Sequence, residues 1–145
     1  MNTFSPAAEW TASRSRSPGG LLSVVVPCHN EAAVIDSTHA RLTAVLSETG
    51  MDFEIIYVDD GSGDSTLGRL EAIAARDARV TVVEFSRNFG QQAAMSAGLG
   101  LARSDAIVIT DADLQDPPEV IPEMVRAWRN GADVAYGRRR RRSGE

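Results

Sequence analysis

The chain has 145 residues, of which 43% are hydrophobic and 24% charged, and its formal net charge is −5. This length and hydrophobic content favour one folded domain with a substantial core. The single cysteine, Cys28, excludes an internal disulfide framework and a cysteine-rich zinc site. The sequence contains no apolar run near the roughly 18 residues that a transmembrane helix needs, and residues 1–20 lack the apolar segment of a signal peptide.

From Leu21 onward, strand and helix patterns alternate along the chain. Residues 1–20, which include a stretch rich in Ser, Arg, Pro and Gly, are expected to form a flexible N-terminal tail. Apolar, β-branched runs predict strands at 22–27, 53–58, 80–85, 106–110 and from 134. Helical periodicity predicts helices at 31–49, from 64 or 65 to 76, at 91–103 and at 117–130. This alternation predicts an α/β fold with a mostly parallel, Rossmann-like sheet and helices on both faces.

Charge is unevenly distributed along the chain, and all of its 15 basic residues other than histidine are arginine. Residues 138–145 contain five arginines and one acid, whereas residues 1–137 contain 10 arginines and 19 acids, a net charge of −9. The acidic body argues against a nucleic-acid partner. The basic run is compatible with a solvated segment or with a patch attracted to anionic lipid.

Polar loops follow the predicted strands, and several of them carry carboxylates. In open α/β sheets, ligands bind beyond the carboxyl ends of the strands, so the side chains of these loops should meet at one rim. Carboxylates 4–8 Å apart repel by roughly 0.5–4 kcal/mol per pair at effective dielectrics between water and protein surface. Such a cluster calls for a cation or for hydrogen-bond donors from a ligand. The acidic side chains concerned are Glu31, Asp59, Asp60, Asp111 and Asp113.

Two of these carboxylates, Asp111 and Asp113, directly follow the strand predicted at 106–110. In an extended chain, residues i and i+2 point to the same side, about 7 Å apart, and Gln115 would add an amide oxygen there. Mg²⁺ and Mn²⁺ prefer such oxygen ligands. Ordinary turn chemistry at a strand end is the alternative. Asp116 and Glu119 are interpreted as a helix start, with Asp116 as N-cap, Pro117 first and Glu119 third.

Other candidate residues have a structural interpretation beside a functional one. Asn30 and Glu31 could contact a ligand, or could cap the helix predicted at 31–49. His29 is interpreted as a loop residue, His39 as a partly exposed helical residue, and Cys28 as a small buried side chain. The glycines form neither the G-x-G-x-x-G pattern of an NAD site nor a P-loop.

Four motifs together resemble the family 2 glycosyltransferases. They are Val24–Glu31, Val58–Ser62, Ser86–Gly90 and Asp111–Glu119, in the order and spacing of that family. The resemblance covers residues 21–145 and is strongest to the polyprenyl-phosphate branch, which includes dolichol-phosphate mannose synthases and undecaprenyl-phosphate glycosyltransferases. It implies a GT-A fold at 21–137 that binds a nucleotide-diphosphate sugar linked to UDP or GDP.

The resemblance also implies roles for individual residues. Pro27, Asn30, Glu31, Asp59 and Asp60 would bind the nucleotide, together with Asp111. Asp111, Asp113 and Gln115 would hold Mg²⁺ or Mn²⁺ at the diphosphate. Arg139 and Arg142, followed by Glu145, match a motif whose arginines grip the diphosphate and the lipid phosphate. The catalytic set is therefore expected to be Asp111, Asp113, Arg139 and Arg142, although Arg138, Arg140 or Arg141 could substitute after a small shift in register.

The resemblance implies metal-assisted, inverting transfer of a sugar to a polyprenyl phosphate. Family members continue beyond this point with interface helices and usually transmembrane helices. Residues 138–145 are therefore expected to begin a missing C-terminal part that reaches the membrane surface, at the cytoplasmic face, and the present chain alone is expected to lack acceptor binding. Two alternatives are a soluble family 2 enzyme acting on a saccharide hydroxyl and a nucleotide-sugar-binding module without turnover.

Overall fold

The computed structural model describes the backbone of residues 2–6 and 20–139 and the side chains of residues 20–136. Its strands are β1 (Asn2–Pro6), β2 (Leu21–Cys28), β3 (Asp52–Asp59), β4 (Val80–Glu84), β5 (Ala106–Ile109) and β6 (Ala135–Arg139). Its helices are α1 (Ile35–Ser47), α2 (Thr66–Arg76), α3 (Gln91–Leu101) and α4 (Ile121–Arg129). A 3₁₀ turn at Pro118–Val120 leads into α4.

Four strands form one parallel sheet in the order β4-β3-β2-β5. The chain first proceeds outward from β2 to β3 and β4, and then returns to place β5 on the opposite side of β2. The register pairs Cys28 with Asp59 and Val25 with Ile109. The direction of winding therefore reverses between β2 and β5, which is where open α/β sheets form a crevice for ligands.

Helices cover both faces of this sheet, as the alternating pattern predicted. On one face, α1, α2 and α4 pack against the even-numbered residues of β2, including Val24 and Val26, in the main hydrophobic cluster. On the other face, α3 packs Ala94 against Ile56 and Val58 of β3. Burial on both faces explains why β2 and β3 are almost continuously apolar.

Two helices begin differently from the predictions. The carbonyl of Glu31 accepts hydrogen bonds from the N–H groups of Val34 and Ile35 in a turn that precedes α1, which itself begins at Ile35. Asn30, at φ +53°, is therefore not its N-cap. The second case is α4: the 3₁₀ turn before it begins at Pro118 with Pro117 as N-cap, and α4 begins at Ile121, so no helix begins at Pro117 with Asp116 as N-cap.

The interpretation of His39 as partly exposed is also wrong. His39, in α1, is only 6% exposed, and its side chain faces β3 and the end of α2. The ring contacts the Tyr57 hydroxyl through Nδ1 at 2.8 Å and the Asp77 carboxylate through Nε2 at 3.1 Å. Helical periodicity did not identify this site because both partners are distant in sequence.

A separate antiparallel ribbon pairs β1 with β6, with Asn2 opposite Arg139 and Pro6 opposite Ala135. β1 lies within residues 1–20, the segment expected to be a flexible tail, so the structure differs from that expectation at residues 2–6. Residues 7–19 of that segment and residues 140–145 lie outside the part of the chain that the structure describes. The domain boundary expected at 137 and 138 stays a prediction.

Candidate functional site

A cavity of about 280 Å³ lies at the reversal point between β2 and β5. It is formed by the loops that leave the carboxyl ends of these two strands, together with the start of α3. Four of its described lining residues are acidic and none is arginine. The lining residues are Pro27, Cys28, His29, Glu31, Asp60, Gln91, Asp111, Ala112, Asp113 and Gln115. The structure therefore brings together six residues predicted for the site: Pro27, Glu31, Asp60, Asp111, Asp113 and Gln115.

Asp111 and Asp113 lie on a turn, so the extended geometry expected at these two residues was wrong. β5 ends at Ile109, and the N–H of Leu114, at φ +53°, donates to the carbonyl of Asp111 at 3.3 Å. The backbone N–H of Gln115 lies 3.4 Å from Oδ1 of Asp113. Both carboxylates nevertheless line the cavity, as the sequence predicted, but a turn and not a strand places them there.

The centre of this turn is anchored to the helix on one face of the sheet. The hydroxyl of Thr38 in α1 donates to the carbonyl of Ala112 at 2.6 Å, and both residues are buried. A buried carbonyl needs such a partner because it cannot reach water. The hydrogen bond from Thr38 therefore fixes the backbone position of Ala112, the residue between Asp111 and Asp113.

Like charges lie close together in the cavity. Burial raises the pKa of Glu31, and the negative charges of Asp113, Asp64 and Asp111 raise it further. Burial likewise raises the pKa of Asp111, with added repulsion from Asp113 and Asp116. Glu31 and Asp111 therefore hold their protons more tightly than isolated carboxyls would, and a nearby cation would oppose this effect.

Asp60 lines the cavity and also holds a neighbouring loop in place. Its Oδ1 accepts the N–H of Phe89 at 2.8 Å, and its Oδ2 accepts the N–H of Gly90 at 3.1 Å. The next residue, Gly61, has φ +64°, and a Cβ there would lie 2.3 Å from the carbonyl carbon of Arg87. The close approach of these two loops therefore requires glycine at this position.

Two of the predicted nucleotide-binding residues, Asn30 and Asp59, are not among the described lining residues. Asp59 is buried and accepts a short hydrogen bond from the Ser62 hydroxyl. That same hydroxyl oxygen accepts the backbone N–H of Asn30, whose side-chain Oδ1 accepts the N–H of Gly63 at 2.8 Å. Both residues thus connect the loops that follow β2 and β3, directly behind the cavity.

His29 is held by a hydrogen-bond network that defines its neutral tautomer. Its Nδ1 lies 2.8 Å from the carbonyl of Asp60. A carbonyl only accepts, so Nδ1 carries the proton. Nε2 is then an acceptor and faces the amide groups of Asn30 at 3.3 Å and Asn88 at 3.2 Å.

Two further residues of the cavity, Gln91 and Cys28, were not predicted as ligand-binding residues. Gln91 donates from Nε2 to Oδ1 of Asp111 at 3.1 Å. Its position directly after the Ser86–Gly90 motif was the available signal. Cys28 is 1% exposed, and burial strongly raises the pKa of its thiol, which agrees with its interpretation as a buried apolar side chain.

The donor set fits a hard divalent cation that is bound jointly with a ligand. Among the described residues, no three His, Cys, Asp or Glu side chains are grouped to hold a metal ion by themselves. Asp111 and Asp113 nevertheless offer two carboxylates at one cavity, with the amide of Gln115 beside them. Mg²⁺ is usually held in this way, by one or two carboxylates together with substrate phosphates and water.

The predicted arginine residues are not placed at the cavity by the structure. Arg139 ends β6, where only its backbone is described, and Arg142 lies outside the described residues. Their contribution to phosphate binding stays a prediction.

Within the part of the chain that the structure describes, none of the helices has the length and apolar character of a membrane span.

A larger groove of about 610 Å³ runs along the outer edge of β5. Its lining is mainly apolar and includes Ile107, Ile109, Met124, Trp128 and Tyr136. The carboxylates Glu31, Asp60, Asp111 and Asp113 lie in the smaller cavity and not in this groove. Convergent polar groups, not volume, therefore identify the candidate functional site.

Comparison with known proteins gives a consistent family match. A sequence model described as "Glycosyl transferase family 2" matches residues 23–145. The chain is 46% identical over 123 residues to an uncharacterised glycosyltransferase, YkcC, of Bacillus subtilis, covering 85% of this chain and 38% of that protein. It is 45% identical over 118 residues to an undecaprenyl-phosphate 4-deoxy-4-formamido-L-arabinose transferase of Pseudomonas aeruginosa, covering 81% and 35%.

Solved structures agree with this match. The mannosyltransferase PcManGT of Pyrobaculum calidifontis, in complex with GDP-Man and Mn²⁺, superimposes with a TM-score of 0.62 at 25% identity, covering 81% of this chain and 34% of that one. The sheet with helices on both faces is therefore the GT-A fold that the resemblance implied. The chain spans less than two fifths of the length of these relatives.

Proposed function

Because the chain belongs to glycosyl transferase family 2, we propose that the cavity between β2 and β5 binds a nucleotide-diphosphate sugar. We further propose that the full-length protein transfers this sugar to a polyprenyl phosphate. The observation that carries the proposal is the convergence of Glu31, Asp111 and Asp113 at the reversal point of the sheet. A relative named as an undecaprenyl-phosphate transferase and a structural neighbour solved with GDP-Man and Mn²⁺ support the two halves of the proposal.

In this proposal, the nucleoside lies against Pro27, Glu31 and Asp60. Each oxygen of Asp60 accepts one N–H group, from Phe89 and from Gly90, so Asp60 also shapes the pocket through the loop that it holds. Asp59 and Asn30 act from behind by joining the loops after β2 and β3. Binding then depends on loops held at fixed positions rather than on side chains that must reorganise.

The diphosphate would lie against Asp111 and Asp113. These two carboxylates and the amide of Gln115 would hold Mg²⁺ or Mn²⁺, which supplies positive charge to the leaving nucleotide diphosphate. Asp113 repels both Glu31 and Asp111, and positive charge or hydrogen-bond donors that enter the cavity would offset this repulsion. The cavity therefore favours a phosphorylated ligand together with its cation over an anion alone.

Transfer proceeds with inversion in this proposal, by direct attack of the acceptor phosphate on the sugar. A phosphate monoester has a second pKa near 6 and is mostly dianionic at neutral pH, so it needs little help from a general base. Arg139 and Arg142 are the proposed phosphate contacts, because a guanidinium pairs with phosphate in a bidentate geometry. We propose that the full-length enzyme acts at the cytoplasmic face of a membrane.

Calorimetric titration of UDP and GDP, with and without Mn²⁺, tests the donor site. We expect one nucleotide to bind in a metal-dependent manner, and Asp113→Asn to remove the metal-dependent part. Asp52→Asn is the matched control, because Asp52 is exposed at the opposite end of the sheet, at the start of β3. Metal-independent binding that is unchanged in Asp113→Asn would refute the metal role, and absence of binding by both nucleotides would refute the donor site.

The acceptor class is tested with the full-length protein. Turnover of the preferred nucleotide sugar with a polyprenyl phosphate, and not with a free saccharide, is the expected result. Turnover with a saccharide hydroxyl alone would refute the lipid acceptor while leaving the donor site intact.

A further inference from the structure

Gln91, at the rim of the cavity, directs its side-chain amide at one of the two central carboxylates. It is the first residue of α3, whereas Asp111 follows β5, so their hydrogen bond joins two separate loops of the site. The Nε2 group donates to Oδ1 of Asp111 over 3.1 Å. Gln91 therefore occupies one oxygen of Asp111 and leaves the second oxygen to other partners.

The backbone position of Gln91 is fixed by Asp60, which follows strand β3. The two residues before it, Phe89 and Gly90, donate their N–H groups to the carboxylate of Asp60, which is 4% exposed at the end of β3. Gly90, at φ +102°, then turns the chain into α3. Asp60 is thus connected to Asp111 across the end of β2, by hydrogen bonds to Phe89 and Gly90, the backbone to Gln91, and the hydrogen bond of Gln91.

The chemical nature of the donor matters at this position. An amide N–H can fix the orientation of a carboxylate without adding charge, whereas a lysine or arginine there would neutralise Asp111 and compete with a divalent cation. We propose that Gln91 is a positioning residue for Asp111, and that Asp60 holds Gln91 in place through Phe89 and Gly90. This inference rests on the proposed function, because it assigns Asp111 to the bound diphosphate and its cation.

The test compares Gln91→Met with Gln92→Met at the next position. Methionine is similar in shape to glutamine but lacks the amide N–H that donates to Asp111. Gln92 is exposed and is not among the described residues that line the cavity. Titration of UDP and GDP in the presence of Mn²⁺ should show binding about two- to tenfold weaker in Gln91→Met, the range for loss of one hydrogen bond. Gln92→Met should match the unmodified chain. Gln91→Glu should weaken binding at least as much as Gln91→Met, because it sets a carboxylate against Asp111.

A second readout needs no ligand. In ¹H–¹⁵N spectra, the side-chain amide resonances of Gln91 should move in Asp111→Ala and should stay in place in Asp52→Ala. Thermal melting of Gln91→Met should equal that of Gln92→Met, since Gln91 is exposed and its loss does not affect the core.

The outcomes separate this inference from the proposed function. If the unmodified chain binds neither nucleotide, the proposed function fails and the inference fails with it. If the unmodified chain binds and Gln91→Met is indistinguishable from Gln92→Met, the inference alone is overturned. Unmoved Gln91 resonances in Asp111→Ala would also overturn it, because the hydrogen bond would then not exist in solution.

Discussion

At the scale of single residues, the hydroxyl of Thr38 holds the turn that presents Asp111 and Asp113. It donates to the buried carbonyl of Ala112 at 2.6 Å. In Thr38→Val this carbonyl would lose its partner at almost unchanged shape, so we expect a loss of about 1–2 kcal/mol in the free energy of unfolding. Urea denaturation measures this loss.

The control for Thr38→Val is Thr43→Val on the same helix. The Thr43 hydroxyl donates only to carbonyls of its own helix, at His39 and Ala40, and these carbonyls lie within a continuous helix. We expect a change within about 0.5 kcal/mol. Equal effects of the two substitutions would show that Thr38 contributes only as a helical side chain and does not support the turn.

Also at this scale, His39 makes stability depend on pH. Burial lowers its pKa, despite an opposing contribution from Asp77, while hydrogen bonds from Arg79 lower the pKa of Asp77. The unfolded chain therefore takes up a proton at His39 near pH 6.5 while the folded chain resists it. The contribution of neutral His39 to the free energy of unfolding is complete above that pH. It is lost as the pH falls below it, by at most about 1.4 kcal/mol per pH unit.

Urea denaturation between pH 5 and pH 7.5 tests this, with His39→Gln as the comparison. The unmodified chain should lose stability on acidification more steeply than His39→Gln. The contribution of Asp77 is lost only below its ordinary pKa, and the raised pKa values of Glu31 and Asp111 act in the opposite direction. These carboxyls are common to both proteins, so parallel pH profiles would contradict the role of His39.

At the scale of elements, the packing of α3 on the sheet depends on one glycine. A Cβ at Gly98 would lie 2.3 Å from Cγ1 of Val25, whose β-branched side chain in β2 has little freedom to rotate. We expect Gly98→Ala to lower the free energy of unfolding by about 1–3 kcal/mol, because overpacking outweighs the gain in helix propensity. Gly100, on the same helix, has no atom within 4 Å of such a Cβ.

Gly100→Ala should therefore raise the free energy of unfolding by about 0.5–1 kcal/mol, the helix-propensity difference alone. Thermal or urea denaturation of the two variants compares them directly. A stabilising Gly98→Ala would show that α3 can move away from β2 without cost, contrary to the close packing described here.

The elements themselves could be predicted from the sequence because their signals are local. Continuous β-branched runs such as those around Val25 and Ile56 occur where a parallel strand is buried on both faces. The starts of α1 and α4 were mistaken because Asn30 and Asp116 have cap chemistry, whereas α1 begins at Ile35 and the turn before α4 begins at Pro118. Asn and Asp favour helix N-termini, but tertiary contacts determine whether a helix begins there.

The residues that form the site could be predicted from the sequence, whereas the geometry of the site could be predicted only in part. Parallel strands end at one rim, so the positions of Glu31, Asp60 and Asp111 followed from the order of the strands. The turn after β5 was not predictable, because it depends on Thr38 in α1. The Ser86–Gly90 motif could draw attention to Gln91, but not to its contact with Asp111, 20 residues away. Periodicity carries no information about such contacts.

At the scale of the whole molecule, the two edges of the sheet differ in character. The β4 edge exposes Thr81 and Glu84, which suit contact with water. β5 exposes Ile107 at 42% and Ile109 at 46%, beside the apolar groove of about 610 Å³. Within the described residues, β5 pairs only with β2. An apolar edge strand with unpaired backbone groups favours association with other chains.

We therefore expect the 145-residue chain to self-associate reversibly, and Ile107→Thr/Ile109→Thr to shift it towards a single-chain mass in sedimentation across a wide concentration range. Threonine keeps the β-branched shape that suits a strand while it removes apolar surface. Val34→Thr is the control, because Val34 is an exposed valine in the loop before α1, away from β5. Association that is equally strong in the double variant and in the control would show that the β5 edge does not drive it, since only the double variant changes that edge.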